Sequence, residues 1–199
     1  LQLCNYQSKQ FYGNYIFGNY DEKQKYLYFP LISQPESVTQ VRENMWINHL
    51  SIIEALAKSV PHNWKVYVKE HPYNPGYRLR PPSYYKEIQS YPNVELMPVD
   101  LDSHELIKNS KMVVLISGTS GWESVLLHDK PVIHFGREFY EITGLSKRCD
   151  NLISLSNLIN SEYKRINKIS KEERKRRLTC LINAIILDGF WIRNPLSLG

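Results

Sequence analysis

Five strand-length apolar runs recur through the first two thirds of the chain, and a polar, helix-like segment separates each from the next. They are YLYFPLI (Tyr26–Ile32), WKVYVKEH (Trp64–His71), NVELMPV (Asn93–Val99), KMVVLI (Lys111–Ile116) and KPVIHFG (Lys130–Gly136). Hairpins join antiparallel strands through a few residues, whereas parallel strands need a long crossover that lays a helix over the sheet. The segments between the runs fit that second role. Met45, Trp46, Ile53, Leu56, Ala57 and Val60 recur at three- and four-residue steps and predict a helix over roughly Val41–Val60. After the breakers Pro75-Gly76 and Pro81-Pro82, a short helix is expected over Ser83–Ser90. DSHELIKNS, with Asp102 or Ser103 as its cap, predicts another, and Gly118–His128 carries a turn and a fourth. The fold class is therefore α/β, a Rossmann-like parallel sheet flanked by helices.

Beyond Gly136 the pattern predicts a strand and then a short helix within NLISLSNLIN, and a helix over Lys171–Leu187. Leu178, Leu181, Ile182, Ile185 and Ile186 form the apolar face of the latter. Three parts follow: 1–25, rich in Tyr, Asn and Gln, as an irregular lead-in or the tail of a preceding domain; 26–160 as the Rossmann-like domain; and 161–199 as a C-terminal helical segment packing on it.

The 199 residues are 42% hydrophobic and 23% charged, as a globular α/β domain requires, and no run approaches the roughly 20 apolar residues of a membrane span. A start at Leu1, without Met and without a basic-then-apolar leader, is not a secretory signal and reads as part of something longer. Cys4, Cys149 and Cys180 are scattered without CxxC spacing, which argues against a disulfide framework and a structural zinc site and for a reducing, cytoplasmic setting. The net charge of +5 concentrates in Lys171–Arg177. That run reads as a solvated helix end, or as attraction to an anionic membrane surface. No nucleic-acid-binding motif accompanies it, so nucleic acid is not an expected partner.

Ligands of open parallel sheets bind beyond the carboxyl ends of the strands. Three polar loops converge there. In ISGTSGWE, Gly118 lets the backbone bend, and Ser117, Thr119 and Ser120 offer hydroxyls around a helix N-terminus, a ready anion site for phosphate. Ser120 and Glu123 equally match a capping box, in which both side chains merely satisfy the helix start. The spacing is neither a P-loop nor GxGxxG. In VKEHP, His71 ends a strand ahead of Pro72, where an imidazole can donate to phosphate or offset charge on a leaving group. Lys69 shares its face, and Glu70 points to the other as a core-edge or interface carboxylate. In SQPES, Ser33, Gln34 and Glu36 follow the first strand; Glu36 suits a sugar contact or a general base, or simply a helix N-terminal acid. The six histidines make no HxxxH or HExxH, and Asp100-Leu101-Asp102 reads as helix capping rather than as a metal site.

Taken in order, YFPLISQPES, VYVKEHP and LISGTSGWESVLLHDKPVIHFG resemble the capsular and surface polysaccharide biosynthesis proteins, which include glycosyltransferases of the capsule Kdo-transferase kind. The His-Pro and downstream Ser/Thr elements also resemble those of bacterial sialyl- and polysialyltransferases, which use CMP-sugars. The resemblance implies a GT-B architecture, two Rossmann-like domains across a cleft, with this chain as the C-terminal, donor-binding half. His71 and the Ser117/Thr119/Ser120 turn would hold the donor phosphate, and Glu123 would sit near the ribose or phosphate turn. It further implies a glycan or glycolipid acceptor, an N-terminal domain outside these residues, no metal or other cofactor, and a cytoplasmic or peripheral inner-membrane place. Other GT-B enzymes fit less well. A UDP-sugar 2-epimerase would show Ser-Gly-Gly followed by paired acids, of which only Glu123 is present. A polyol-phosphate polymerase would carry an Asp where Ile116-Ser117 stands. A non-catalytic scaffold domain would use the Lys171–Arg177 helix as its working surface.

Overall fold

The computed structural model describes residues 17–33, 46, 48–72 and 80–188. The elements are β1 Tyr26–Pro30, α1 His49–Ser59, β2 Lys65–Lys69, α2 Pro82–Ser90, β3 Val94–Met97, α3 Ser103–Asn109, β4 Met112–Leu115, α4 Thr119–Leu127, β5 Val132–His134, a 3-10 turn Phe139–Thr143, β6 Ser146–Arg148, α5 Leu155–Asn167 and α6 Lys171–Asp188. All strand pairs are parallel, in the order β3-β2-β1-β4-β5-β6. That is the Rossmann order, and it reverses direction at the β1/β4 boundary.

A central parallel strand is covered on both faces and so needs apolar or aromatic residues on both. β1 supplies them. Leu27 and Phe29 enter a core with Ile52, Ile53 and Leu56 of α1, Tyr85 and Ile88 of α2, and Leu155 and Ile159 of α5. Tyr26 and Tyr28 enter the opposite core with Leu106 and Ile107 of α3, Val125 of α4 and Leu178 of α6. Tyr26 stacks on Tyr67 of β2 with ring centroids 4.2 Å apart, and its hydroxyl donates to the Leu106 carbonyl at 2.8 Å.

The five expected strands are present, and α3 is capped by Asp102, whose carboxylate accepts the His104 N–H at 2.9 Å. The described part of the first crossover helix begins at His49, with Asn48 accepting from Leu50 and Ser51; residues 41–45 lie outside the described residues. One expectation fails after Gly136. The sixth strand is Ser146–Arg148, not part of NLISL, and residues 151–154 form the turn that leads into α5. A three-residue polar edge strand carries no hydrophobic period to detect; β6 forms because β5 presents a free edge. α5 is also longer than expected and runs across residue 160.

Candidate functional site

At the switch point the chain leaves neighbouring strands toward opposite faces, which opens a crevice beyond their carboxyl ends. The loops after β1, β2 and β4 leave the sheet at that end. Ser33 is half-buried at the end of the first; Gln34 and Glu36 lie outside the described residues. His71 is half-buried in the second loop, and Lys69 and Glu70 are buried. Lys69 donates from Nζ to Ser103 Oγ at 2.9 Å, on the α3 side of the sheet. Burial lowers its pKa, while the carboxylates of Asp102 and Asp100 pull the other way. Burial also pushes the Tyr28 phenol up to about 12, against a hydrogen bond with the same Ser103. Glu70 points to the opposite core, as alternation along the strand requires, and pairs with Arg80 at 2.8 Å.

The third loop shows why its residues are small, and the causes differ. Gly118 caps α4 with φ 129° and ψ 174°, a backbone region closed to side chains, and a Cβ built there would meet nothing within 4 Å. Gly121 is buried, and a Cβ there would lie 2.0 Å from the Tyr140 hydroxyl oxygen, so packing demands its size. The capping box does not form. The helix starts at Thr119 with Gly118 as its cap, which moves Ser120 inside the first turn, and the cap residue itself has no side chain to bond the first turn. Ser117, Ser120 and Glu123 are half-buried and Thr119 is exposed.

One residue at this turn escapes a sequence reading. Glu138, from the loop after β5, accepts the Gly118 N–H at 3.1 Å through Oε1. A carboxylate therefore rests where the helix dipole favours negative charge. Its only sequence signal is an acid two residues past the glycine that ends the KPVIHFG run. Among the described residues no group of three or more His, Cys, Asp or Glu is placed to hold a metal ion.

The basic run of α6 divides in two. Arg174 is buried and donates to the carbonyls of Ile166, Ile169 and Asp129. Arg177 donates to Glu173 at 2.7 Å and to the Thr143 carbonyl at 3.3 Å. Lys171, Lys175 and Arg176 are exposed, Arg176 pairing with Glu173 at 2.7 Å. No helix among the described residues is long and apolar enough to cross a membrane. Cys149 is buried, which pushes its thiol up to about 11, and Cys180 is exposed; both are free.

Comparison with known proteins adds the following. A family model described as capsule polysaccharide biosynthesis protein matches residues 19–169. The capsule polysaccharide export protein KpsS of Escherichia coli is 29% identical over 126 residues, which are 60% of this chain and 32% of KpsS. Among solved structures, the Thermosulfurimonas dismutans KpsC β-Kdo 2,7 transferase superposes with a TM-score of 0.51 at 16% identity, over 76% of this chain and 46% of its own. The Methanocaldococcus jannaschii UDP-GlcNAc 2-epimerase, in complex with UDP-GlcNAc and UDP, gives 0.50 at 17% identity, over 92% and 51%. The chain thus spans about a third of its curated relative and about half of each of these structures, and the structural likeness is one of fold.

Proposed function

The chain belongs to the capsule polysaccharide biosynthesis protein family, and from that premise we propose that it is the C-terminal, donor-binding half of a GT-B glycosyltransferase. Its reaction moves a sugar from a nucleotide-sugar, with a CMP-sugar the first candidate, to a growing capsule or surface polysaccharide. The observation that carries this reading is the N-terminus of α4. Its cap residue has no side chain, and it opens at Gly118 onto space where a Cβ would touch nothing. The Thr119 and Ser120 N–H groups and the helix dipole there suit a donor phosphate that takes the place the Glu138 carboxylate holds at the Gly118 amide, with hydroxyls from Ser117, Thr119 and Ser120 alongside.

His71 lies in the loop after β2, at the same end of the sheet. Its imidazole donates to the departing nucleotide phosphate, and when protonated offsets the charge that develops there, while Lys69 adds a positive field from behind. Glu123 takes the ribose or phosphate turn. Ser33 and Gln34 border the sugar, and Glu36 acts on it as a base or a hydroxyl acceptor. Helix dipole and side chains stabilise the leaving group, so no metal is invoked. The acceptor glycan or glycolipid docks with help from an N-terminal domain, and the enzyme works at the cytoplasmic face of the inner membrane.

Calorimetric titration with CMP, UDP and CDP tests this. One nucleotide binds, and His71→Ala and Ser120→Ala each weaken it by about 1–3 kcal/mol, as loss of a charge-assisted hydrogen bond does. A folded chain that binds none of the three, alone or with its N-terminal half, overturns the reading. A preference for UDP names a UDP-sugar instead.

A further inference from the structure

Behind His71 lies a buried polar network that the donor-site reading does not use. Glu70 is 1% exposed and Arg80 is 7% exposed, and three hydrogen bonds to Glu70 are 2.7, 2.8 and 2.9 Å long. Its Oε1 accepts the His71 backbone N–H at 2.7 Å. Its Oε2 accepts from Arg80 Nε at 2.8 Å and from the Tyr85 hydroxyl at 2.9 Å. The other end of the Arg80 fork, Nη2, donates to the Ile32 carbonyl at 2.6 Å, one residue before Ser33. The guanidinium also lies over the Tyr84 ring, 4.8 Å from its centroid. One carboxylate and one guanidinium thus tie together the end of β1, the end of β2 and the first turn of α2.

A buried ion pair is a poor means of adding stability, because removing two charges from water offsets most of their attraction. Its use lies in geometry. A planar fork that serves two acceptors at once fixes the distance between them, which a lysine does not do. Here the two acceptors belong to the loops that carry Ser33 and His71. We propose that Glu70 and Arg80 are positioning residues: they brace the β1 and β2 edge loops as one unit and hold the His71 backbone at the orientation from which its side chain meets the donor. The brace rests on the reading of His71 as a donor contact, but its mechanical part is measurable without any ligand.

The test compares the wild-type chain with Glu70→Gln/Arg80→Met and with Tyr85→Phe. The double variant removes both charges together, so neither is left buried alone; Tyr85→Phe deletes a single hydroxyl in place. Backbone amide exchange at His71 is read by NMR, the urea midpoint reports the global fold, and CMP and UDP serve as calorimetric probes. In the double variant the His71 amide exchanges at least tenfold faster and the bound nucleotide loses at least tenfold in affinity, while the urea midpoint stays near that of wild type. In Tyr85→Phe the amide exchanges about threefold faster with the midpoint unchanged. A His71 amide that keeps its protection in the folded double variant overturns the brace. If the double variant does not fold, unchanged exchange in Tyr85→Phe overturns it. Faster exchange with unaltered nucleotide affinity also overturns the positioning role. If wild type binds neither nucleotide, the donor-site reading fails, and the exchange data still decide the brace.

Discussion

At the scale of single residues, two glycines one helical turn apart answer to different constraints. Gly121→Ala drives a methyl into the Tyr140 side chain, which is wholly buried and has a hydroxyl without a partner. Overpacking of this kind costs about 1–3 kcal/mol, and Tyr140→Phe, which removes the clashing oxygen and an unsatisfied hydroxyl together, recovers at least half of it. Urea unfolding of the two single variants and the pair checks this; simple additivity would contradict the packing account. Gly118→Ala instead strains a backbone at φ 129° with open space around its methyl, so it should lower stability and, on the proposed donor site, nucleotide affinity as well. The sequence showed small residues at both positions and had no means of separating the causes, because the partner of Gly121 lies 19 residues further on, beyond another strand. His49 is a second case of long-range context. Its ring nitrogens are buried without partners among the described residues, and burial, with Arg80 nearby, depresses its pKa from 6.5 to about 3. Between those values the unfolded chain holds a proton that the native chain refuses, so stability falls as pH drops below 6.5, by up to about 1.4 kcal/mol per pH unit. From pH 7 to pH 5 the wild type should lose about 2 kcal/mol more than His49→Leu in urea titrations. Parallel losses in the two proteins would show that His49 titrates normally.

At the scale of elements, the strands and most helices were legible because each carries a period of its own. YLYFP and KVYVK read as buried strands from composition, and Asp102 announces α3 as its cap. β6 was illegible for the opposite reason. SKR has no apolar period, and it is a strand only because β5 leaves an edge for it. The Lys171–Arg177 run reads from sequence as a single basic patch, yet its members do different work. Arg174 closes carbonyls of Ile166, Ile169 and Asp129 and belongs to the interior, whereas Lys171 and Lys175 stand in solvent. Arg174→Met should therefore cost about 2–4 kcal/mol in urea unfolding, since it leaves buried carbonyls unsatisfied. Lys171→Glu/Lys175→Glu should leave stability within about 0.5 kcal/mol of wild type. If the helix meets an anionic membrane, only that exposed pair abolishes sedimentation with phosphatidylglycerol vesicles at low salt, and wild-type binding weakens once the Debye length falls to about 8 Å. Absence of wild-type sedimentation at low salt would remove the membrane role.

At the scale of the whole molecule, the proposed donor site lies at the carboxyl ends of a single Rossmann-like sheet, which would form one wall of it. On the proposed reading, the α4 helix end at Gly118, the half-buried His71 and the brace beneath it serve to bind and orient a nucleotide. Transfer asks for more: an acceptor hydroxyl held in line with the anomeric carbon and a site closed to water, because orientation and water exclusion supply much of the acceleration. The chain spans 32% of KpsS and 46% of the KpsC transferase structure, and on the proposed reading those tasks fall to an N-terminal domain. The 199 residues alone should therefore bind nucleotide and show neither sugar transfer nor donor hydrolysis above the uncatalysed rate. Joined to its N-terminal half, the same domain should turn over, and His71→Ala should then lower kcat by about 100-fold or more, the scale on which one transition-state hydrogen-bond donor acts. Mass spectrometry of a short glycan acceptor incubated with CMP- and UDP-sugars decides both points. Turnover by the isolated chain would mean that this half holds the acceptor as well. A full-length protein that is active with His71→Ala would move the leaving-group role elsewhere in the site, with the hydroxyls of Ser117, Thr119 and Ser120 the first positions to examine.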